Sequence, residues 1–276
     1  MNRRCLLAYI LVASSTVFGA TYRIDEIVIP GAFAVLPESI NNAGVVVGSY
    51  YTQTEAFGFK YDKGVLDHIG SSQTGWLRPF DINNNGDVVG QASQAAFILS
   101  GATGDLSLYS QSGCLGTTFW GMNDAGSIVG DCFNPTSATT AFLFENGSFN
   151  ASLPPIDQLG HVRDINNSNQ VVSLFVQGQL GSSTTTLPGG YGINNLGQIA
   201  TAIGVWTNGI VIPITIPGAV QIDIHKLNDR GQVVGSFYDG ANFRGFIATP
   251  IPEPGTAIVG IALLAITALR ASARRA

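Results

Sequence analysis

Few side chains in this sequence have types and spacings suited to chemistry. The three histidines, His68, His161 and His225, lie far apart and share no metal-ligand spacing such as His-Glu-x-x-His. They read as separate structural residues. Asp81, Asp164 and Asp223 lie near Asn-containing turns, and Asp124 and Asp229 lie inside them. Acids repeated on one face would bind Ca²⁺ through carboxylate and carbonyl oxygens. There is no Asp-x-Asp-x-Asp-Gly loop, so turn chemistry is the plainer reading; Ca²⁺ is the one cofactor the residues leave open, and no metal ligands are assigned. No serine sits in a Gly-x-Ser-x-Gly elbow, and no glycine-rich phosphate loop precedes a helix. No catalytic residue is therefore assigned. Paired carboxylates for sugar hydrolysis depend on spacing in three dimensions, which a sequence does not give. Tyr50, Tyr51, Trp76, Trp120 and Trp206 are candidate stacking surfaces for sugars, or packing residues between sheets. Cys114 and Cys132 flank the turn Asn123–Gly126, so adjacent strands would bring them together. A disulfide and two buried thiols are the two main readings.

These residues sit on a repeat. An apolar residue, Asn, two variable residues, Gly and an apolar β-branched run recur six times. The turn pairs are Asn41 and Gly44, Asn83 and Gly86, Asn123 and Gly126, Asn166 and Asn169, Asn194 and Gly197, and Asn228 and Gly231. The first Asn recurs at steps of 42, 40, 43, 28 and 34 residues. Asn opens a tight turn by accepting a hydrogen bond from the backbone two residues on. Gly three positions later takes the positive φ that closes a type I turn with a bulge, and Asn169 is the next best residue there. The run that follows reads as a buried strand. A third strand follows in several copies, as in Ala96-Phe97-Ile98-Leu99 and Ala141-Phe142-Leu143-Phe144, and a fourth after that.

Four short strands in about 40 residues is the size of a propeller blade. The expected fold is all-β: a β-propeller-like ring of about six four-stranded repeats over residues 21–250. The last copy stops after its third strand, and an orphan strand, Tyr22–Pro30, precedes the first. That orphan is expected to complete the last unit and hide its edge. The fourth copy is the weak place, because Phe175-Val176-Gln177-Gly178 makes a poor third strand.

Both ends read as addresses. Residues 1–20 carry Arg3 and Arg4, an apolar run and small residues, the pattern of a signal peptide. Residues 251–276 hold Pro252-Glu253-Pro254, an apolar stretch able to form a transmembrane helix, and Arg270, Arg274 and Arg275. Removing both ends leaves 8 basic and 17 acidic residues, a net charge of about −9. Such a body repels nucleic acid and anionic lipid.

The tail resembles the PEP-CTERM sorting signal of Gram-negative bacteria, with all three of its parts in order. The resemblance implies export across the inner membrane and a transient anchor there. Processing by an exosortase and delivery to the cell surface or extracellular matrix would follow. The repeats resemble the HAF-type extracellular repeat, with its Asn-x-x-Gly turn, Val-Val-Gly strand and Ala-Phe strand, across about Ser39 to Phe246. That resemblance implies secretion and a propeller-like fold, and no known reaction. The expected partners are the exosortase and export machinery, the membrane before processing, and extracellular polysaccharide. The expected role is a non-enzymatic, propeller-fold binding protein; a propeller polysaccharide lyase or hydrolase, and a purely structural surface protein, are the rivals.

Overall fold

The structure is a computed structural model that describes residues 21–71, 75–135, 139–150, 161–174, 177–180 and 190–251. The signal-peptide and sorting-signal readings, including Pro252, Glu253, Pro254, Arg270, Arg274 and Arg275, fall outside these residues, as do Phe175 and Val176. The described part is all β-strand, turn and irregular backbone, in four small antiparallel sheets and one of eight strands that holds a single parallel pair. Among the described residues no helix is long and apolar enough to cross a membrane.

In each unit the turn Asn joins the first strand to the second. The first unit runs Ala34–Ile40, Val46–Tyr51, Ala56–Asp62 and Val65–Ser71, and the second Leu77–Ile82, Val88–Ala92, Ala95–Leu99 and Leu106–Tyr109. The third is Gly116–Met122, Ile128–Phe133, Thr139–Glu145 and Ser148–Asn150. The fourth shows three strands, Val162–Ile165, Gln170–Ser173 and Gln177–Gln179, so a third strand does form in the weak copy. The fifth is Gly192–Ile193, Ile199–Thr201, Gly204–Thr207 and Ile210–Pro213. The sixth is Gln221–Leu227, Val233–Tyr238 and Phe243–Ile251, and Thr21–Ile27 pairs antiparallel with its last strand over seven residues. The orphan strand thus covers that edge. One parallel pair, Ala34 with Phe243, joins the sixth unit to the first.

The Asn turns form as their chemistry dictates. Gly44 N–H donates to Asn41 O at 3.0 Å, and Gly44 has φ +88°. Asn169 fills the same place at φ +58°. Asn41 Oδ1 accepts from Ala43 N and Val45 N, both at 3.0 Å, and the other five turns repeat both bonds. The amide nitrogen of each Asn is then left to bond elsewhere. Asn41, Asn123, Asn166, Asn194 and Asn228 donate theirs to the carbonyl of the turn Asn in the next unit, and Asn228 reaches back to Asn41. Asn83 instead donates to Asp87 Oδ2 at 3.2 Å.

A second circuit runs through the residue after each Asn. Its backbone N–H donates to the corresponding side chain of the next unit, in the order Asn42, Asn84, Asp124, Asn167, Asn195, Asp229 and back to Asn42, at 2.8–2.9 Å. This closed circuit makes the arrangement propeller-like: buried apolar strands radiate from a hub of hydrogen-bonded turns.

The core lies between sheets. The second strand of each unit is almost wholly buried, as at Val46, Val47, Val88, Val89, Ile128 and Val129. In four units a buried Phe of the third strand (Phe59, Phe97, Phe142, Phe246) pairs with the Gly that ends Val-Val-Gly or Ile-Val-Gly. A Cβ on Gly130 would clash with the Thr118 carbonyl oxygen and lie 2.7 Å from the Phe142 ring, so the neighbouring backbone and the facing phenyl together exclude any larger residue. Cys114 and Cys132 are disulfide-linked in the third unit, Cα atoms 5.5 Å apart, beside a cluster of Phe119, Phe142 and Phe144.

Candidate functional site

The candidate site lies where the repeat stops repeating. Two residues before each turn Asn stand Ser39, Asp81, Gly121, Asp164, Gly192 and Lys226. These side chains meet inside the hub. Lys226 Nζ lies 2.9 Å from Asp164 Oδ1, 3.1 Å from Asp81 Oδ2 and 3.0 Å from Trp120 O. Asp81 also accepts from Ser39 Oγ at 2.6 Å and Met122 N at 2.7 Å, and Asp164 from Ile193 N at 2.8 Å. All three charged side chains are buried. The glycines make room: a Cβ on Gly121 would lie 2.6 Å from Asp164 Cα, and one on Gly192 2.9 Å from Lys226 Cα. Small residues thus alternate with the charged ones.

Two carboxylates share one ammonium here. Burial pushes Asp164 up, to about 6, against the pull of Lys226, and Asp81 adds to the rise. Burial works against the Lys226 charge too, but the two carboxylates outweigh it and hold the ammonium charged. One carboxylate is in excess of the ammonium, so Asp164 takes up a proton near pH 6 while the lysine stays charged.

One residue further from the turns lies a second layer: Glu38, Phe80, Trp120, Arg163, Tyr191 and His225. Five of them fall where the first strand breaks register with the second, between Pro37 and Ser39, Pro79 and Asp81, Phe119 and Gly121, Val162 and Asp164, and Ile224 and Leu227. Tyr191 keeps the position, its N–H bonded to Ala200 O, the partner residue of Gly192. An extra residue opposite one partner re-aims its side chain, and such bulges cluster beside functional sites. All six, with Arg78 and Lys226, line one cavity of about 270 Å³. The space on the turn side is smaller, about 60 Å³. Lys226 lines both, so the buried ion cluster stands between them.

The cavity wall is charged and aromatic. Arg163 Cζ lies 4.3 Å from the Trp120 ring centroid, and Phe80 packs on Trp120 at 4.3 Å. Arg78 Cζ lies 5.3 Å from both Phe80 and Trp76. His225 Nδ1 lies 2.8 Å from Pro37 O and 3.1 Å from Glu38 Oε2. A carbonyl only accepts, so Nδ1 carries the proton. Burial opposes both charges of the pair, but their attraction outweighs it: Glu38 is lowered and His225 raised from their ordinary values. Of the eight Lys and Arg between residues 21 and 251, three line this cavity of an otherwise acidic body.

The candidates named from sequence fall in several places. Asn41, Asn83, Asn123, Asn166, Asn194 and Asn228, with their partners Gly44, Gly86, Gly126, Asn169, Gly197 and Gly231, build the hub. Asp124 and Asp229 belong to the turn circuit. Burial raises Asp124, yet the amides of Asn167 and Asn84 outweigh it and hold the carboxyl below its ordinary range. Asp229 likewise accepts from Asn195 and Asn42. Among the described residues no three His, Cys, Asp or Glu group where they could hold a metal. His68 bonds the Tyr50 hydroxyl at 2.9 Å and His161 bonds Asp131 at 2.8 Å, both apart from His225. Tyr50 is core rather than a surface for stacking, and Trp206 packs beside Ile193 and Ile199. Only Trp120, of the five aromatics named, lines the cavity. Asp81 and Asp164 meet in the ion cluster, whereas Asp223 stays out of it, accepts from Gln221 and adds its negative charge to the surroundings of His225.

Sequence reading missed Lys226, Glu38, Arg78, Arg163, Phe80 and Tyr191. The signal was available as a column: the residue three places before each turn Asn differs in all six copies.

No protein-family model matches the chain, and no curated protein matches it in sequence. Among solved structures it is similar to TolB from Acinetobacter baumannii, at 13% identity and a TM-score of 0.41, over 78% of this chain and 54% of that one. The chain thus spans about half the length of that protein. A chain of a mitotic checkpoint complex is similar at 10% identity and a TM-score of 0.31, over 91% of this chain and all of that one. Both likenesses are too slight to argue from. The propeller-like arrangement rests on this chain's own sheets and turns.

Proposed function

We propose that this protein is a six-bladed propeller ring, exported and displayed on a bacterial surface or matrix, that binds extracellular polysaccharide without cleaving it. The observation that carries the binding role is the second layer. Six positions that repetition would make alike hold six different residues, and all six line one cavity. Architecture accounts for the residues that recur; it does not account for these. Export is supported by the charged and apolar residues 1–20. The Pro252-Glu253-Pro254 tail supports an exosortase, with transient membrane anchoring before trimming. The closed circuit of turns supports the count of six blades, with the fourth the least regular.

The Glu38–His225 pair in the cavity favours one rival, a lyase or hydrolase, because a carboxylate and an imidazole side by side are acid–base equipment. The test is to titrate the full chain with the producing host's own extracellular polysaccharide and then to size the sugar. Saturable binding without shortening is expected. Shortening that Glu38→Gln abolishes would make the protein an enzyme, and absence of both would favour a purely structural role.

A further inference from the structure

We infer that the cavity takes a carboxylated sugar ring, a uronate unit or chain end, whose carboxylate is held by the guanidinium groups of Arg78 and Arg163. This rests on the polysaccharide reading and narrows it to acidic sugars.

The starting point is a set of donors without acceptors. Neither Arg78 nor Arg163 makes a hydrogen bond or ion pair among the described residues; both stack on aromatic rings, and the Arg78 charge also helps to hold Glu38 ionised across the cavity. Arg78 Nε, Arg163 Nε and Trp120 Nε1 are all buried and unpartnered. Buried donors of this kind are rare in native proteins, and each costs about 1–3 kcal/mol. Three of them in the wall of one cavity mark a place where an acceptor-rich group belongs. The guanidinium fork matches a carboxylate bidentately, and stacking on Trp120 and Phe80 fixes its plane.

The rest of the wall chooses among anions. Lys226 is committed to Asp81 and Asp164, and His225 to Glu38 and Pro37 O. Glu38 brings a negative charge to the same cavity, which would repel an anion offering only acceptors. A sugar acid offers both: a carboxylate for the two arginines and hydroxyl donors for Glu38. Phe80, Trp120 and Tyr191 supply apolar surface for the C–H faces of a pyranose. At about 270 Å³ the cavity lies just under the usual range of about 300–1,000 Å³ for ligand sites, so it suits one ring rather than a length of chain.

The test is calorimetric titration of the full chain with sodium glucuronate, and with glucose, glutamate and inorganic phosphate as comparison probes. Glucuronate is expected to bind saturably, at least about tenfold tighter than glucose. Arg163→Gln and Arg78→Gln are each expected to weaken it about tenfold or more with unchanged thermal melting. Equal binding of glucose and glucuronate would overturn the carboxylate assignment, as would unaffected binding in both well-folded arginine variants. Glutamate or phosphate binding as tightly would overturn the sugar assignment. Failure of glucuronate while the host polysaccharide still binds would overturn this inference alone; failure of both would overturn the polysaccharide reading as well.

Discussion

Replacing Lys226 by Met tests the ion cluster on which both layers depend. The ammonium is buried and makes three contacts within 3.1 Å: Asp81, Asp164 and Trp120 O. Methionine has nearly the same length, so the space stays filled and the charge alone is lost. Two buried carboxylates are then left without their cation, and breaking a buried pair in this way costs about 3–5 kcal/mol. The cost must depend on pH. Asp164 already sits near 6, above the unfolded value of about 3.9, because burial favours its neutral form. A carboxylate raised in the folded state contributes stability that is complete below its unfolded pKa and is lost as pH rises through the folded one. Without Lys226 the carboxylate pair rises further, so the extra penalty accrues above pH 6, at about 1.4 kcal/mol for each further unit of rise. Urea unfolding of both proteins at about pH 5.5 and 8 measures this by linear extrapolation. The expected result is a loss of about 3–5 kcal/mol at the higher pH and a visibly smaller one at the lower. A loss below about 1 kcal/mol at both values would refute the buried triad as described. So would a loss that grows toward acid pH.

Three further outcomes follow from the hub, the seam and the cysteines. Asn194→Asp removes the amide that bonds Asn228 O and Gln198 Oε1 and sets a carboxylate oxygen against both, so denaturation at neutral pH should show a loss of about 2–4 kcal/mol. Deleting residues 21–30 strips the strand that covers Phe243–Ile251 and removes the buried Ile27 and Ile29, worth about 3–6 kcal/mol together. Thermal melting should fall by roughly 10 °C or more, and an unchanged curve would sink the seam. Intact mass should gain two hydrogens on reduction of Cys114–Cys132, and Cys132→Ser should lower stability by roughly 3 kcal/mol in the chain-entropy model.

The six turns could be read from residue types because their chemistry is local, whereas the hydrogen bonds that link them into a hub run between units and could not. Asn at a turn start bonds its own backbone two residues on, and Gly or Asn three places later accepts positive φ, whatever lies beyond. The covering role of Tyr22–Pro30 was legible for a related reason: an unpaired strand at one end of the repeat array matched a missing one at the other. The cavity was not legible in the same way. Glu38, Phe80, Trp120, Arg163 and His225 point inward because a bulge breaks the alternation of the first strand, and alternation is what a sequence lets one count. Lys226 was hidden because its partners, Asp81 and Asp164, lie 145 and 62 residues away along the chain. Attention to the recurring residues also led away from the site, since its residues are the ones that do not recur.

The central claim is that the layer of unlike residues is where the protein meets its ligand. The indole N–H resonance of Trp120 tests it most directly, because that donor is buried in the cavity wall and has no hydrogen-bond partner among the described residues. Nitrogen-15 spectra of the full chain would be recorded as acidic fragments of the host polysaccharide are added, with Trp120→Phe for assignment. The account predicts a saturable shift of Trp120, with Trp206, packed against Ile193 and Ile199, left in place. Saturable binding that moves Trp206 and leaves Trp120 still would contradict it.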